Sequence, residues 1–397
     1  MYRGPSGLAF TYHRYAYNGY IYPSKIPDQR RSIHSLRNMV EHLKSWIRTI
    51  LARVLYNLFY RYAKSWDVSR DGHPLKNGIT AVVCAKNEAY LISFCLKSLI
   101  GVVDQVICID NGSSDGTLEE MQRFNEEHNA DLEVTVLSLP GKTLGECRNA
   151  GLDNSRYKWH LRWDADMLCR TSGENDMRKL RNKVLSNDRP RTIQLPRLNL
   201  RGDFKYTRAE GAADPGEPIL VRFGRHIIYR EFGRFDAIST PFYYSMISEK
   251  KHYYVHCEGI KPDDNLIYRY QYFDWREQYN KYNDNNRPES VQTFENFVKH
   301  GWTGFGTTDH RAIKWRFQRL YCSTMKPLLN GELGGYPDVL ADELLKENPR
   351  FNVILKDSMP YTRLDFEDPE MHDYVPTEDD YAWETENEKI LKRHHGR

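Results

Sequence analysis

The sequence predicts an α/β fold in which a mostly parallel sheet is flanked by helices. Four short apolar runs lie between residues 79 and 163, and segments with helical periodicity separate them. This order of elements is typical of parallel sheets with crossover helices. The 397 residues are 40% hydrophobic and 28% charged, which is the composition of a globular chain long enough to bury a large core.

Each strand of the predicted sheet is a short and almost continuous apolar run, as expected for strands buried on both faces. The strands are predicted at 79–84 (ITAVVC), 105–110 (QVICID), 133–139 (EVTVLSL) and 159–163 (WHLRW). Apolar residues at helical spacing predict the helices between them, at 85–99 with Asn87 as N-cap, 116–128 and 142–155.

The rest of the chain is organised by composition. Residues 1–77 form an aromatic leader with an amphipathic helix, and 71–78 (DGHPLKNG) is a turn-rich boundary. After residue 168, strands are predicted in RTIQLPRLNL and EPILVRFGRHIIYREF, and helices in PESVQTFENFVKHG and HRAIKWRFQRLYCSTMKPLL. A C-terminal helical region is predicted at 286–350, and an acidic, extended tail at 351–397.

The helix predicted at 46–66 has two interpretations. Its apolar residues recur at helical spacing, and arginines and a lysine interrupt the run. Such a helix packs on the main domain or lies as a basic helix on a membrane surface. The chain shows no secretory signal and no run apolar enough to span a bilayer, so we expect a cytoplasmic protein with a possible peripheral membrane contact at 46–66.

Charge and cysteine usage exclude some classes of function. A formal net charge of +3 gives no indication of nucleic-acid binding. The seven cysteines are scattered singly without a CxxC pair, which argues against a zinc site of that kind. Cys84, Cys95 and Cys108 lie in apolar runs, are predicted to be buried, and favour a reducing compartment.

Three short stretches carry the residues suited to chemistry. CIDNGSSDGT follows the second strand and WDADM follows the fourth, so both lie where parallel sheets bind ligands. The carboxylates of Asp164 and Asp166 suit Mg²⁺ or Mn²⁺, although such a pair is also common in solvated turns. In GKTLGECRN, Lys142 and Arg148 either face a diphosphate or are surface charges on a helix.

In this order, AVVCAKNEAYLISFCLKSL, CIDNGSSDGT, GECRNAGL and WDADM resemble the motifs of family 2 glycosyltransferases. The resemblance covers about residues 79–168. It implies the GT-A fold, a Rossmann-like α/β domain that we place at 78–285. On this resemblance, 78–168 would be the half that binds a nucleotide sugar, and 169–285 the half that binds the acceptor.

The resemblance also implies roles for individual residues. The loop with Ala85, Asn87 and Glu88 would begin the base pocket. Asp110 would hold the nucleoside with its neighbours Asn111 and Gly112, although many family members have a second aspartate in place of Asn111. Lys142 and Arg148 would contact the diphosphate. Asp164 and Asp166 would hold the metal, with Asp166 as the direct ligand.

Two further roles rest on looser matches. Asp236, in RFGRHIIYREFGRFDAI, falls where the family has its catalytic base, and Asp214 and Glu231 are its rivals. A downstream histidine often completes the metal site in the family. His256 is the candidate for it, and His252 is its rival.

The sequence therefore favours an inverting, metal-dependent glycosyltransferase that uses Mn²⁺ or Mg²⁺. Its donor would be a nucleotide sugar with a diphosphate, usually of uracil, and its acceptor a hydroxyl of a glycan or glycoconjugate. The alternatives are a catalytically inactive glycan-binding or scaffold protein and a nucleotidyltransferase. CAKNEA lacks the glycine-rich, arginine-containing loop usual in nucleotidyltransferases, and the first strand is not followed by the GxGxxG of dinucleotide-binding enzymes.

Overall fold

A computed structural model describes most of the chain from residue 68 onward. The described residues are 43–44, 46–47, 50–51, 54–55, 68–187, 189–208, 216–232, 235–241, 243–282, 286–300, 305–323, 325–328, 335–344, 353–354, 362–363, 371 and 373–395. The chain divides into two compact units, each made of separated segments. Unit 1 is Met1–Ala165, Asp176–Pro196 and Pro215–Lys251; unit 2 is Asp166–Asn175, Arg197–Asp214 and His252–Arg397.

Unit 1 is built on a seven-stranded, mostly parallel sheet. Its strands are β1 (Lys76–Ala85), β2 (Gln105–Asp110), β3 (Glu133–Ser138), β4 (Tyr157–Asp164), β6 (Arg191–Leu195), β9 (Glu217–Arg222) and β12 (Ser245–Ser248). The order across the sheet is β12-β6-β9-β4-β1-β2-β3, and only β9 runs antiparallel to its neighbours. The predicted α/β fold and its four strands are confirmed.

The first three helices of unit 1 follow the strands as the periodicity predicted, and the fourth was not predicted. They are α1 (Ala89–Ser98), α2 (Thr117–His128), α3 (Leu144–Asp153) and α4 (Met177–Leu185). Helix α3 lies so close to β1 that a Cβ on Gly151 would meet a methyl of Val82 at 2.4 Å. A hairpin of β10 (Ile228–Phe232) and β11 (Phe235–Ser239) packs against α3 from a remote part of the chain.

The strand register brings two predicted site residues to one edge of the sheet. Central strand β1 pairs with β2 on one side and β4 on the other. Ala85 is opposite Asp110, and Cys84 is opposite Asp164. Both aspartates therefore stand at the carboxyl ends of strands that flank β1, which is where ligands of such sheets bind.

Unit 2 contains a five-stranded sheet and a group of helices. The strands of the larger sheet are β5 (Met167–Cys169), β7 (Leu198–Arg201), β8 (Asp203–Arg208), β13 (Tyr254–Gly259) and β14 (Met325–Pro327). Their order across the sheet is β14-β8-β7-β13-β5. A second, small sheet pairs β15 (Val353–Ile354) with β16 (Thr362–Arg363). The helices are α5 (Asp263–Lys281), α6 (Glu289–Gln292), α7 (Phe294–Lys299), α8 (His310–Ser323), a 3₁₀ turn (Asp338–Leu340), α9 (Ala341–Leu344) and α10 (Glu378–His395).

Residues 378–395 of the C-terminal tail form a helix, where the sequence predicted an extended segment. Within α10, Asp380 is fully buried and accepts a hydrogen bond from the Arg316 guanidinium at 2.8 Å. Trp383 stacks on Phe305 with ring centroids 5.5 Å apart. The prediction was wrong here because it relied on acidic composition, whereas a buried ion pair and an aromatic contact anchor the helix to α8 and its surroundings.

The leader helix is described only in part, and the rest of 46–66 lies outside the described residues. Those that are described between 43 and 55 are helical. Trp46, Ile47, Ile50, Leu51 and Val54, which we call the apolar stripe, are 63%, 44%, 40%, 51% and 53% exposed. The side chains of the stripe are thus exposed to solvent. No helix within the described part of the chain has the length and hydropathy to cross a bilayer.

The structure also bears on the predicted burial of the cysteines and on the predicted start of helix α1. Six cysteines are buried free thiols, as expected for Cys84, Cys95 and Cys108, and the other three are Cys147, Cys169 and Cys257. Burial raises the pKa of both Cys84 and Cys108 to about 12. Helix α1 begins later than predicted, since Glu88 rather than Asn87 is its N-cap.

Candidate active site

The loops that follow β1 and β2 are tied to each other by hydrogen bonds. The backbone N–H groups of Asn87 and Glu88 donate to the hydroxyls of Ser113 and Thr117, at 2.9 and 2.8 Å. In return, the side-chain oxygen of Asn87 accepts from the N–H of Ser114 at 2.9 Å. Asn87 has a left-handed φ of 56° that lets it do so. The small polar residues after β2 thereby hold the two loops together at the carboxyl end of the strands, where such sheets bind ligands.

Asp110 and Asn111 begin the second of these loops. The buried carboxylate of Asp110 accepts from the N–H groups of Gly112 at 3.0 Å and Ser113 at 3.2 Å, so it closes its own loop. Asn111 donates its amide to the carbonyl of Lys142 at 2.8 Å. Its buried side-chain oxygen has no hydrogen-bond partner among the described residues. A buried acceptor of this kind is a place for a ligand to donate.

The N-terminus of α3 is bound by side chains of the chain itself. Thr143 and Glu146 form a reciprocal capping box, with bonds of 3.2 and 2.9 Å, and this lowers the pKa of Glu146, chiefly through the Thr143 N–H. The carboxylate of Glu231, on β10, accepts from the N–H of Gly145 at 2.8 Å. Lys142 is half exposed and lies 3.5 Å from Glu146. The first turn of α3 thus holds a carboxylate from a remote hairpin.

Arg148 is completely buried between two carboxylates. Its Nη2 donates to Asp164 at 2.5 Å, and its Nε lies 2.8 Å from Oδ2 of Asp236 in an ion pair that is not aligned as a hydrogen bond. The Asp236 side chain is only 3% exposed. Burial opposes the charged guanidinium, but Asp236 and then Asp164 outweigh it and raise the pKa of Arg148 above its usual range. Arg148 therefore holds Asp164 at the end of β4.

A second buried arginine supports the same region of unit 1. Arg162 lies 3.1 Å from Glu217 and 3.9 Å from Asp164, and despite burial these carboxylates, with Glu217 foremost, raise its pKa well above the usual range. Behind it, the imidazole of His160 hydrogen-bonds the hydroxyl of Tyr229 at 2.8 Å. Burial lowers the pKa of His160 to about 3, so this ring is neutral.

In unit 2, Asp166 and His256 are brought together by strand pairing. Asp166 immediately precedes β5, and its carbonyl accepts from the N–H of Cys257 at 2.7 Å. His256 lies between Met167 of β5 and Asn199 of β7 in the register. The Nε2 of His256 is 3.1 Å from Oδ1 of Asp166, and its Nδ1 is 2.9 Å from the side-chain oxygen of Asn199. His252, the rival, lies before β13, and its carbonyl accepts from Arg170.

Two cations approach the other oxygen of Asp166. The ammonium of Lys261 is 3.0 Å from Oδ2, and Nη1 of Arg269, on α5, is 3.5 Å from it. Burial alone would raise the pKa of Asp166, but Lys261 and then His256 lower it well below its usual range. Burial likewise opposes charge on Glu258, yet His256 and Arg269 lower its pKa to about 2.

The Asp166 and His256 pair fits a divalent cation. A carboxylate oxygen and an imidazole nitrogen are ligands that Mn²⁺ and Mg²⁺ sites use. A proton on Nδ1 of His256 satisfies Asn199 and turns the lone pair of Nε2 toward Asp166, which is the orientation a ligating histidine takes. His256 then needs either a proton or a metal ion at Nε2. For the proton on His256, the attraction of the Asp166 carboxylate outweighs the opposing effect of burial and raises the pKa of His256.

The predicted site residues thus fall into two sets. Unit 1 holds Ala85, Asn87, Glu88, Asp110, Asn111, Gly112, Lys142, Arg148, Asp164 and Asp236, and unit 2 holds Asp166 and His256. The rival base Asp214 lies outside the described residues. Sequence reasoning missed Lys261 and Arg269 as partners of Asp166; the only signal was the Arg- and aromatic-rich segment after residue 259.

Comparison with known families identifies the core of unit 1. The family model of glycosyl transferase family 2 matches residues 80–188. The matched range runs from β1 to α4 and contains Asp110, Arg148, Asp164 and Asp166. The resemblance seen in the sequence motifs is confirmed, and the chain carries a family 2 glycosyltransferase domain. A search of curated proteins finds no match.

Similar solved structures include S. aureus TarS, at 15% identity and a TM-score of 0.32, covering 60% of this chain and 47% of that one. S. aureus TarS 1-349 in complex with UDP-GlcNAc has 15% identity and a TM-score of 0.32, covering 61% and 77%. The mannosyltransferase PcManGT from Pyrobaculum calidifontis, in complex with GDP-Man and Mn²⁺, has 16% identity and a TM-score of 0.34, covering 64% and 80%. The chain spans about half the length of the full TarS structure, and TM-scores this low carry no argument about its activity.

Proposed function

We propose that this chain, which carries a family 2 glycosyltransferase domain at residues 80–188, is an inverting glycosyltransferase. Its donor is a nucleotide sugar with a diphosphate, such as a UDP-sugar, and its acceptor is a hydroxyl of a glycan or glycoconjugate. One observation carries the proposal. Within the matched range, Asp110 and Asp164 stand at the carboxyl ends of the two strands that flank β1.

The nucleoside binds at the tied loops after β1 and β2. These loops are held rigid by their own hydrogen bonds, so they offer a preformed surface. The orphaned oxygen of Asn111 accepts a hydrogen bond from the base or ribose. Lys142 is half exposed near the start of α3 and supplies the cation for the diphosphate. Arg148 acts as a positioning residue, since its guanidinium is paired with the carboxylates of Asp164 and Asp236.

Asp166 and His256 would hold Mn²⁺ or Mg²⁺, and Asp164 would be a further ligand. Asp164 precedes Asp166 by two positions, so the chain itself limits how far the two carboxylates can separate. His256 faces Asp166 and is oriented by Asn199. When bound, the cation offsets the negative charge that develops on the leaving diphosphate.

We assign the catalytic base to Glu231 rather than to Asp236. A base must meet the acceptor hydroxyl. Asp236 is 3% exposed at its side chain and paired with Arg148, whereas Glu231 is exposed. Oε1 of Glu231 is bonded to the N–H of Gly145, so the carboxylate is oriented and Oε2 takes the acceptor proton. The acceptor oxygen bonds to the anomeric carbon as the bond to the diphosphate breaks, which inverts the configuration.

The apolar stripe is the proposed site of a peripheral membrane contact. Its five large side chains are 40–63% exposed on one helix. Lys44 precedes the stripe in sequence, and Arg48 and Arg53 lie between its residues, which suits anionic lipid headgroups. An acceptor carried on a lipid would then be presented near the enzyme.

A thermal-shift screen with the full chain tests the proposed function. UDP, GDP, CMP and their common sugars are each added with Mn²⁺ and with EDTA. A ligand at a hundred times its dissociation constant adds about 2.7 kcal/mol to the free energy of unfolding. We expect one nucleotide to raise the midpoint only with Mn²⁺, and its sugar to be consumed when acceptor is present. Binding without any turnover would instead support the inactive glycan-binding alternative.

A further inference from the structure

The Asp166 carboxylate has basic groups next to both of its oxygens. Oδ1 faces Nε2 of His256 at 3.1 Å, and Oδ2 faces the ammonium of Lys261 at 3.0 Å and Nη1 of Arg269 at 3.5 Å. The side chains of Asp166, His256 and Lys261 are all at most 5% exposed. Water therefore screens these charges weakly.

A divalent cation on Asp166 would have to share this carboxylate with Lys261. Metal–oxygen distances are about 2.0–2.3 Å for Mg²⁺ and similar ions. An ammonium 3.0 Å from Oδ2 would then lie within a few ångströms of a metal on either oxygen of Asp166. In a buried site such like charges repel strongly, so both cannot remain on Asp166.

We propose that Lys261 is a built-in competitor of the metal: its ammonium holds Asp166 in the metal-free protein and must leave Asp166 when a divalent cation binds. This inference rests on the proposed function, since it assumes that Asp166 is the metal ligand. It adds a residue that sets the metal affinity of the site and couples metal binding to movement of the loop between β13 and α5.

The geometry favours Lys261 over Arg269 in this role. Lys261 is the nearer cation, and its side chain is 4% exposed, whereas that of Arg269 is 32% exposed. Arg269 also lies 4.0 Å from Glu258, a second anion that keeps it in place. A lysine ammonium is a compact charge on a flexible stem, so it can withdraw without disturbing the helix that carries Arg269.

The test is a titration of the full chain with Mn²⁺ alone, followed by electron paramagnetic resonance of the free ion. Wild type is compared with Lys261→Met, which keeps the stem without the charge, and with Lys261→Arg, which keeps the charge. Lys314→Met is the matched control, because Lys314 is equally buried and its ammonium lies 2.8 Å from Asp264. We expect Lys261→Met to bind Mn²⁺ about tenfold more tightly or better. The other two variants should stay near wild type, and adding Asp166→Asn to Lys261→Met should remove the gain.

An unchanged or weaker Mn²⁺ affinity in Lys261→Met would overturn the inference. If that variant does not fold, amine labelling of the wild type decides, with the modified lysines read by peptide mass spectrometry. Mn²⁺ should then increase labelling of Lys261 and leave Lys314 unchanged; equal labelling of Lys261 with and without Mn²⁺ contradicts the proposal. Neither readout needs a donor, so absence of sugar transfer would overturn the proposed function without deciding the role of Lys261.

Discussion

The Nε of Arg148 lies 2.8 Å from a carboxylate oxygen of Asp236, and neither side chain is more than 3% exposed. Arg148 also binds Asp164 at the end of β4. The hairpin that carries Asp236 and the strand that carries Asp164 are thus joined through one buried guanidinium on α3. This makes the pair a structural support of the donor edge, and it separates Asp236 from the acceptor side of the reaction.

Arg148→Met should destabilise the protein by about 3–5 kcal/mol, because it leaves the carboxylates of Asp164 and Asp236 without their buried counter-charge. Urea unfolding measures the loss. Arg123→Met removes an exposed guanidinium that pairs only with neighbouring Glu120 on α2, and should change stability by less than about 1 kcal/mol. Adding Asp236→Asn to Arg148→Met should recover part of the loss; no recovery would mean that the two charges are independent.

Glu231→Gln and Asp236→Asn should have opposite effects. Glu231→Gln keeps an oxygen for the N–H of Gly145 but removes the base, so kcat should fall by about 10²–10⁴ while donor affinity and melting temperature stay unchanged. Asp236→Asn should lower the melting temperature instead and leave measurable turnover in the folded fraction. Steady-state kinetics and thermal melts separate the two. Wild-type turnover in Glu231→Gln would return the role of the base to Asp236 or Asp214.

The sequence predicted the core of unit 1 because each of its strands is a local apolar signal. The runs at 105–110 and 159–163 are recognisable as strands from the sequence alone, and their carboxyl ends locate Asp110 and Asp164. What could not be predicted is pairing between remote segments. Gly145 meets Glu231 across 86 positions, and nothing in either local sequence specifies that contact.

The same reason explains why the cationic partners of Asp166 and the helix in the tail were not predicted. Lys261 reaches Asp166 only because β13 pairs with β5, and strand register between distant segments is not written in local composition. In the tail, acidic residues suggested an extended chain. One of them, Asp380, is instead fully buried against Arg316, and such tertiary contacts override a compositional signal.

Asp166→Asn should abolish metal-dependent nucleotide binding while keeping the fold, since the amide can still accept from Lys261. Asp166→Ala should also lower stability, because it leaves the buried Lys261 ammonium without this carboxylate. The measurement is the Mn²⁺-dependent shift of the melting temperature in the presence of the best nucleotide. Asp338→Asn, in the same unit, is the control and should keep the shift. A full shift in Asp166→Asn would remove Asp166 from the metal site.

His160 should make the protein less stable as the pH falls below about 6.5. Its pKa is lowered from 6.5 to about 3 by burial, so between these values the unfolded chain binds a proton that the folded protein does not. Stability should therefore fall by about 1.4 kcal/mol per pH unit from this group alone. Urea unfolding at pH 7.5, 6.0 and 5.5 measures the slope. His160→Gln keeps a partner for Tyr229 and should lose this contribution; an identical slope in both proteins contradicts it.

The apolar stripe should bind anionic membranes through Trp46 and Ile50. Replacing both with serine removes two of its large exposed side chains without touching the core, so the melting temperature should not change. Cosedimentation with vesicles containing phosphatidylserine should fall by about tenfold or more, since each buried aromatic or aliphatic side chain contributes about 1.5–3 kcal/mol. Neutral vesicles should bind the wild type more weakly, because Arg48 and Arg53 then lack a negative surface. Equal binding of the wild type and the double variant would exclude the stripe as the contact and leave it as a surface for another protein segment.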